Sequence, residues 1–384
     1  MVDLTEFKSI SPYTDAEASE ALSKVAELPL ISQISKHIFP SESPDFLKNV
    51  LKQIQTVEQF QVLVMQRFVR WVLENTAANF TYAGIENIDK EKKFLTLSNH
   101  RDIILDPAIT QLVLHINGIP MTEIAVGDNL ISNEAIEWLI RSNRMIKVTR
   151  GVSPRELYLS SQLLSRYIRL SITEQLSSIW LAQRQGRTKD GYDTTEQGLL
   201  KMLDMSGGDD FKKNFEELNI IPMSISYEYE PCDIMKAREV LISRTQKYVK
   251  AEGEDTNSIV TGVMQFKGDI HLQVCTPLSS EEIEAAAQAD KNDRYQIIRR
   301  AIDRRVIDGY RLFKTHYIAF DMVNGSAKYA DKYEQADVEK FVAYMEKQLA
   351  KVEPELDRTE LKEVFLNIYA NPVVTKELLE RGEL

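Results

Sequence analysis

The stretch FLTLSNHRDIILDPAITQLVLHI, residues Phe94–Ile116, predicts a short buried strand, then a polar loop, then a helix. FLTLS is apolar and of strand length, and the closing ITQLVLHI repeats apolar side chains at helical spacing. Between them lie His100, Arg101, Asp102 and Asp106. In α/β proteins, binding and catalytic groups gather where strands end and helices begin, so this loop is the first candidate site.

Further short apolar segments follow, separated by segments of helix length such as ELYLSSQLLSRYIRL. This alternation predicts the α/β class, with a mostly parallel twisted sheet flanked by helices. We expect a helical N-terminal region at residues 1–79, an α/β core at 80–279 and a helical C-terminal region at 280–384. The predicted strands are FLTLS (Phe94–Ser98), MIKVT (Met145–Thr149), SIWLAQ (Ser178–Gln183), IIPMSIS (Ile220–Ser226) and IHLQV (Ile270–Val274).

The composition limits the classes of partner. Hydrophobic residues make up 43% of the chain and charged residues 27%, an ordinary globular mixture, and the formal net charge is -11. This charge argues against nucleic acid as a partner, because phosphate binding requires a basic face. It also repels an anionic membrane on average, so any lipid contact requires a local basic or apolar patch.

The sequence indicates a cytoplasmic protein with peripheral contact at the inner face of the membrane. Cys232 and Cys275 have no ligand spacing and suggest no disulfide framework, which suits a reducing compartment. The first residues lack the pattern of a signal peptide, and no apolar run has the length of a spanning helix. VLVMQRFVRWVL (Val62–Leu73) predicts a half-buried amphipathic helix, with an interfacial role as the alternative because Arg67 and Trp71 lie in it.

His-Arg-Asp also begins the catalytic loop of protein kinases, and the rest of the chain excludes that chemistry. A kinase requires an asparagine five residues after the aspartate, where this sequence has Pro107. The sequence also contains no downstream Asp-Phe-Gly, no glycine-rich nucleotide loop and no P-loop.

Four motifs, in order between about Phe80 and Ser279, resemble those of the glycerophospholipid acyltransferase superfamily. One such motif would be weak, whereas four in the same order are specific. The resemblance is greatest to bacterial glycerol-3-phosphate and 1-acylglycerol-3-phosphate acyltransferases. The segments that carry it are NHRDIILD, NRMIKVTRGVSPRELYLSSQLLSRYIR, QRQGRTKDGYDTTEQGLLKML and IIPMSISYEYEP.

The resemblance implies an O-acyltransferase that moves a fatty acyl group from acyl-CoA or acyl-carrier protein to a hydroxyl of glycerol 3-phosphate or 1-acylglycerol 3-phosphate. It implies no cofactor beyond the thioester co-substrate, and no cluster of residues has metal-ligand spacing. The third motif departs from the family, because Arg184 or Gln185 stands where a glutamate is expected. A non-catalytic protein that binds lipid or acyl-carrier protein on the same fold is therefore the alternative.

Within this resemblance, His100 is the candidate general base, because imidazole titrates near neutral pH and an alcohol requires deprotonation as it attacks. A carboxylate would orient the ring. Five residues separate His100 from Asp106, where the family has four, and Asp102 lies closer. Asp106 is favoured and Asp102 is the rival, although Asp106 before Pro107 also fits a helix cap. Tyr227 is expected to pack in the core.

The resemblance also implies which side chains bind the acceptor phosphate. Arg150 and Arg187 follow strands where the family has its second- and third-motif arginines, and a guanidinium binds phosphate oxygens in pairs. Lys189 and Arg101 are further candidate contacts. Gly186 is expected to allow close approach of the backbone.

Overall fold

A computed structural model describes residues 2–39, 41–291 and 293–384. Its centre is a seven-stranded sheet with the order β1-β7-β6-β2-β5-β3-β4. Five neighbouring strands, from β6 to β4, are parallel, while β7 pairs antiparallel with β6 and parallel with β1. The strands are β1 (Ala77–Ala83), β2 (Leu95–Ser98), β3 (Glu123–Gly127), β4 (Met145–Val148), β5 (Ile179–Ala182), β6 (Ile220–Tyr227) and β7 (Gly268–Val274).

Helices flank this sheet, and further helices precede its first strand and follow its last strand in the sequence. Before the sheet lie α1 (Asp15–Val25), α2 (Leu30–Ile38), α3 (Phe46–Gln53), α4 (Val57–Phe60), a π-helical turn (Gln61–Met65) and α5 (Gln66–Thr76). Between the strands lie α6 (Leu105–Ile116), α7 (Glu134–Ser142), α8 (Pro154–Thr173), α9 (Gln197–Asp204), α10 (Phe211–Glu216), α11 (Asp233–Ser243) and α12 (Glu254–Met264). After the sheet come α13 (Ser280–Ala287), α14 (Arg294–Gly309), α15 (Lys314–Asn324), α16 (Gln335–Leu349) and α17 (Arg358–Glu380).

The predicted α/β class is confirmed, and all five predicted strands form within a few residues of their expected bounds. Two strands, β1 and β3, were not predicted. β1 lies at the edge of the sheet and is mostly exposed, so it lacks the apolar pattern that marks a buried strand. β3, with the sequence EIAVG, is short and only partly buried.

Both faces of the sheet are covered by apolar side chains, as parallel strands require. On one face, β2, β4, β5 and β6 share a hydrophobic core with α8, α9, α10, α13 and α14. On the other face, β6 and β7 pack against α5 and α6. A further core joins α11 to α15, α16 and α17. The division of the chain at residues 79 and 279 stays a prediction. Packing crosses residue 279, because α13 and α14 share the core of the sheet.

The amphipathic stretch Val62–Leu73 packs against the protein. Val69 and Val72 are buried against α6 and the sheet. The guanidinium of Arg67 lies 5.3 Å from the ring centroid of Phe39 and 3.6 Å from a carboxylate oxygen of Glu42. The predicted half-buried helix is therefore present, and its apolar face is used for folding.

Gly191 joins the polar loop after β5 to helix α17. Its φ is 86°, and a Cβ there would lie 2.5 Å from the carbonyl oxygen of Ile368. A side chain would force apart two segments that are far separated in sequence.

We expect Gly191→Ala to lower the free energy of unfolding, because it adds a backbone clash to the strain of a left-handed residue. Gly118→Ala is the matched control, since Gly118 has a φ of 67° and, its chain neighbours aside, no atom of the described residues lies within 4 Å of a Cβ built on it. Urea unfolding should show a loss of about 1 kcal/mol for the control and at least about 2 kcal/mol more for Gly191→Ala. Equal losses would contradict the tight packing of this loop on α17.

Candidate active site

The candidate site lies at the carboxyl ends of the parallel strands. Segments that follow β2, β3, β4 and β5 line one cleft of about 440 Å³. Parallel strands end at the same edge, so residues distant in sequence meet there. Five of the expected residues line this cleft: His100, Arg150, Gly186, Arg187 and Lys189.

His100 and Asp106 form a hydrogen-bonded pair. The Nδ1 atom of His100 lies 2.9 Å from Oδ2 of Asp106, whose side chain is fully buried, while the histidine side chain is 15% exposed. With Nδ1 bonded to the carboxylate, Nε2 is the ring nitrogen left for another partner. The ring also contacts the edge of Trp180, at a centroid distance of 5.8 Å. The imidazole is thus held in one orientation at the cleft.

Asp106 accepts further hydrogen bonds that fix its carboxylate. The backbone N–H groups of Arg101 and Asp102 donate to Oδ2 at 2.5 and 2.9 Å, and the hydroxyl of Tyr227 donates to Oδ1 at 2.8 Å. Burial, reinforced by the charge of Asp106, holds the pKa of Tyr227 well above its usual range, so its hydroxyl stays protonated and able to donate. Tyr227 is buried as expected, and it also contacts this carboxylate.

Asp102 has a different position from its rival. Its Oδ1 accepts hydrogen bonds from the backbone N–H groups of Ile104 and Leu105, at 2.9 and 2.8 Å, where α6 begins. These N–H groups have no partner within the helix, so Asp102 caps α6. The sequence had suggested this capping role for Asp106 as an alternative. Burial, with a contribution from Asp106, raises the pKa of Asp102. The structure thus pairs Asp106 with the ring and uses Asp102 at the helix start.

Arg101 is placed differently from expectation, because its side chain points into the protein and does not line the cleft. It is 1% exposed, and its guanidinium lies 2.6 Å from Asp193 and 3.4 Å from Glu230. Lys236 donates to Glu230 at 2.6 Å and to the backbone carbonyl of Arg101 at 2.7 Å. A buried charge requires such partners, so the expectation that Arg101 contacts substrate is replaced by a structural role behind the loop.

The cleft is rich in cationic side chains. Burial lowers the pKa of Arg150, whose backbone N–H donates to Asp128 at 3.0 Å. Arg187 is half-buried, and its Nη1 has no hydrogen-bond partner within the described part of the chain. Lys189 pairs with Glu239 of α11, so its charge is partly neutralised. Arg150 and Arg187 are therefore the cations best placed to meet an anionic group.

Arg184 and Gln185, which replace the expected third-motif glutamate, both line the cleft. Nε of Arg184 is buried and has no hydrogen-bond partner among the described residues. The expected glutamate is therefore replaced by a cation or by an amide, depending on which of the two residues is aligned with it.

Several residues that shape the site were missed from the sequence. Asp193 accepts hydrogen bonds from Asn99, Arg101 and Thr188 at 3.0, 2.6 and 2.7 Å, and it thereby joins the first-motif loop to the third. Its position, six residues after Arg187, carried no local signal. Glu230 was missed for the same reason, because its partners are far away in sequence.

Two kinds of feature are absent from the described part of the chain. No group of three or more histidine, cysteine, aspartate or glutamate side chains there could hold a metal ion. None of the helices described combines the length and apolar composition needed to cross a bilayer.

Residues 79–202 match the protein-family model described as Acyltransferase. The chain is also similar in structure to the 1-acyl-sn-glycerophosphate (LPA) acyltransferase PlsC from Thermotoga maritima, with 12% identity and a TM-score of 0.40. That alignment covers 76% of this chain and 94% of the other. The comparison with curated proteins gave no match.

The matched segment contains His100, Asp106, Arg150 and Arg187, and it spans the first three of the four motifs. The family resemblance predicted from those motifs is confirmed for this segment, because residues 79–202 match the Acyltransferase family model.

Proposed function

We propose that this protein transfers a fatty acyl group from acyl-CoA or acyl-carrier protein to a hydroxyl of glycerol 3-phosphate or 1-acylglycerol 3-phosphate, in phospholipid synthesis. The observation that carries the proposal is the shared cleft: the His100–Asp106 pair and the guanidinium groups of Arg150 and Arg187 line one cavity. A base beside a cationic pocket suits an alcohol that carries a phosphate.

In the proposed reaction, Nε2 of His100 removes the proton from the acceptor hydroxyl as its oxygen attacks the thioester carbonyl. The C–S bond then breaks, and the imidazolium returns the proton to the departing thiolate, which gives an ester and a free thiol. Asp106 holds the ring through Nδ1 and stabilises the imidazolium during the reaction. No covalent acyl-enzyme and no cofactor beyond the thioester are required.

The proposed acceptor site uses Arg150 and Arg187, with Lys189 as a weaker contributor because it pairs with Glu239. Arg187 lines the cleft with a half-buried side chain, and its Nη1 has no hydrogen-bond partner among the described residues, which supports this assignment. Gly186 has a φ of 73°, and apart from its chain neighbours no described residue has an atom within 4 Å of a Cβ built on it, which leaves room for a ligand beside the backbone.

We further propose that the protein acts in the cytoplasm, at the inner face of the membrane, where a lipid acceptor resides. Its two cysteines are buried free thiols, which suits a reducing compartment. The non-catalytic alternative, a lipid- or carrier-binding protein, would not need the paired base.

The role of His100 is tested by the variant His100→Ala. If His100 is the base, the variant should release thiol from acyl-CoA in the presence of acceptor about 10²- to 10⁴-fold more slowly than wild type. Thiol release is measured with and without glycerol 3-phosphate and 1-acylglycerol 3-phosphate, and then with acyl-carrier protein as donor. Equal rates for wild type and variant would rule out the enzymatic proposal and favour the binding protein.

The second prediction separates the two aspartates. Asp106→Asn should lower kcat by about 10²- to 10⁴-fold, because the ring loses its carboxylate and the correct tautomer. Asp102→Asn is the matched control and should cost less than about tenfold, because Oδ1 still caps α6. The two variants are compared in the same thiol-release assay. A larger loss in Asp102→Asn would contradict the assignment.

The third prediction concerns the acceptor phosphate. Arg187→Ala should lower kcat/KM for the phosphorylated acceptor by about 10- to 100-fold, because a charge-assisted contact of about 1.5–3 kcal/mol is lost. The KM for the acyl donor should change little. Arg166→Ala is the control, since Arg166 pairs with Glu6 on the surface and does not line the cleft. Equal effects on both substrates would argue against a phosphate contact.

A further inference from the structure

No side chain in the first half of helix α8 is fully buried. Residues 152–163, called the α8 tip below, are all exposed or half-buried, and burial in this helix begins only at Leu164. Ten helical residues extend over about 15 Å. The exposed fractions of the large apolar side chains are 38% for Val152, 47% for Leu157, 52% for Tyr158 and 53% for Leu159.

The shape of the α8 tip is set by local interactions. Ser153 and Glu156 form a reciprocal capping box, and Pro154 occupies the first helical turn. Gln162 donates to the hydroxyl of Tyr158 at 2.9 Å, one turn away. The helix therefore presents its apolar side chains in a fixed arrangement. Leu163 packs against the core of the sheet, whereas Leu157, Tyr158 and Leu159 belong to none of the hydrophobic cores described. Large exposed apolar groups in one place mark an interaction site.

The α8 tip is continuous with the candidate active site. It begins two residues after Arg150, and Leu157 lines a second cavity of about 180 Å³. Arg150 and Arg184 line both this cavity and the cleft of His100. Val148, Leu164, Leu181, Leu199 and Met202 give the second cavity an apolar side. Its other walls are polar and include Lys147 and Glu196.

The sequence segment that contains the α8 tip is basic, in contrast to the whole chain. Residues 144–163 carry four cations and one carboxylate, whereas the chain has a net charge of -11. Glu156, the carboxylate, is engaged in the capping box, and Lys147 is paired with Glu137. Arg155 is exposed in the first turn of α8, five residues after Arg150 in sequence. This is the local basic and apolar patch that an acidic protein needs in order to meet an anionic membrane.

We propose that the α8 tip docks on the surface of an anionic lipid bilayer, with Leu157, Tyr158 and Leu159 in the interface and the second cavity receiving an acyl chain from it. This inference rests on the proposed function, since it takes the acceptor to be a lipid. A bilayer fits better than an acidic carrier protein, because residues 157–163 carry no charge and consist of apolar, aromatic and small polar groups. Tyrosine and leucine on an exposed helix with flanking cations are typical of interfacial segments.

The test is flotation with vesicles of phosphatidylcholine alone and of phosphatidylcholine with phosphatidylglycerol. Wild type should float with the anionic vesicles and less so at high salt, because the cations of the patch are then screened. The double variant Tyr158→Ser, Leu159→Ser should bind these vesicles at least tenfold more weakly. Its fold should be unchanged by circular dichroism, since neither side chain is buried.

The matched control is Ile116→Ser, Leu176→Ser, which removes apolar side chains of similar exposure, 44% and 43%. Ile116 ends α6 and Leu176 precedes β5, so both lie at the opposite edge of the sheet from the cleft. This variant should bind vesicles as wild type does. Equal binding by all three proteins, or equal loss in both variants, would overturn the proposal.

A second readout separates the docking surface from the proposed function. With a water-soluble short-chain acceptor, the Tyr158, Leu159 variant should release thiol at the wild-type rate, whereas with acceptor embedded in vesicles it should lose at least tenfold. Vesicle binding that depends on the α8 tip, in a protein without transferase activity on any acceptor, would reject the proposed function and retain the docking surface. A variant that loses acyl-carrier protein in a pull-down and keeps vesicle binding would overturn the docking proposal and favour a protein partner.

Discussion

The candidate site depends on one buried carboxylate. Asp106 accepts hydrogen bonds from the ring of His100, from two backbone N–H groups of the same loop and from the hydroxyl of Tyr227. A carboxylate in a dry environment is costly unless its oxygens are satisfied, so these donors and the carboxylate stabilise one another. The loop, the histidine ring and strand β6 are thereby fixed together, and the imidazole is oriented before any ligand arrives.

Behind this loop lies a buried ionic network that connects the site to the C-terminal helices. Arg101 lies between Asp193 and Glu230, and Lys236 completes the network. The hydroxyl of Tyr369 in α17 accepts from the backbone of Glu230 at 3.1 Å. Removing one member of a buried ionic network leaves an uncompensated charge, at a cost of about 3–5 kcal/mol. The C-terminal helices therefore help to hold the His-Arg-Asp loop, although they lie outside the acyltransferase match.

Charge and apolar surface are distributed around the cleft in a way that suits the proposed lipid chemistry. Cations line the cleft itself, where a phosphate would meet them out of bulk water. The second cavity adds apolar walls beside the same arginines. The rest of the chain is acidic, so the cationic and apolar groups are confined to this part of the surface. Attraction to an anionic surface would therefore orient the molecule as well as bind it.

The sequence by itself determined the local elements of this site. The strand before His100, the helix after it and the positions of Arg150 and Arg187 beyond their strands follow from periodicity and spacing along a few neighbouring residues. The motif resemblance also predicted the family. Edge strand β1 was not predicted, because its exposed side chains carry no apolar pattern.

Only the tertiary structure decided which aspartate faces the ring, where Arg101 points and what Tyr227 does. Ser98 of β2 lies beside Met223 of β6, and this pairing brings Tyr227 close to a loop that is more than a hundred residues away in sequence. Asp193 and Glu230 likewise meet Arg101 only after the sheet has formed. Local sequence specifies each strand and helix, but hydrogen-bond partners depend on which strands are neighbours, and that is settled by burial across the whole core.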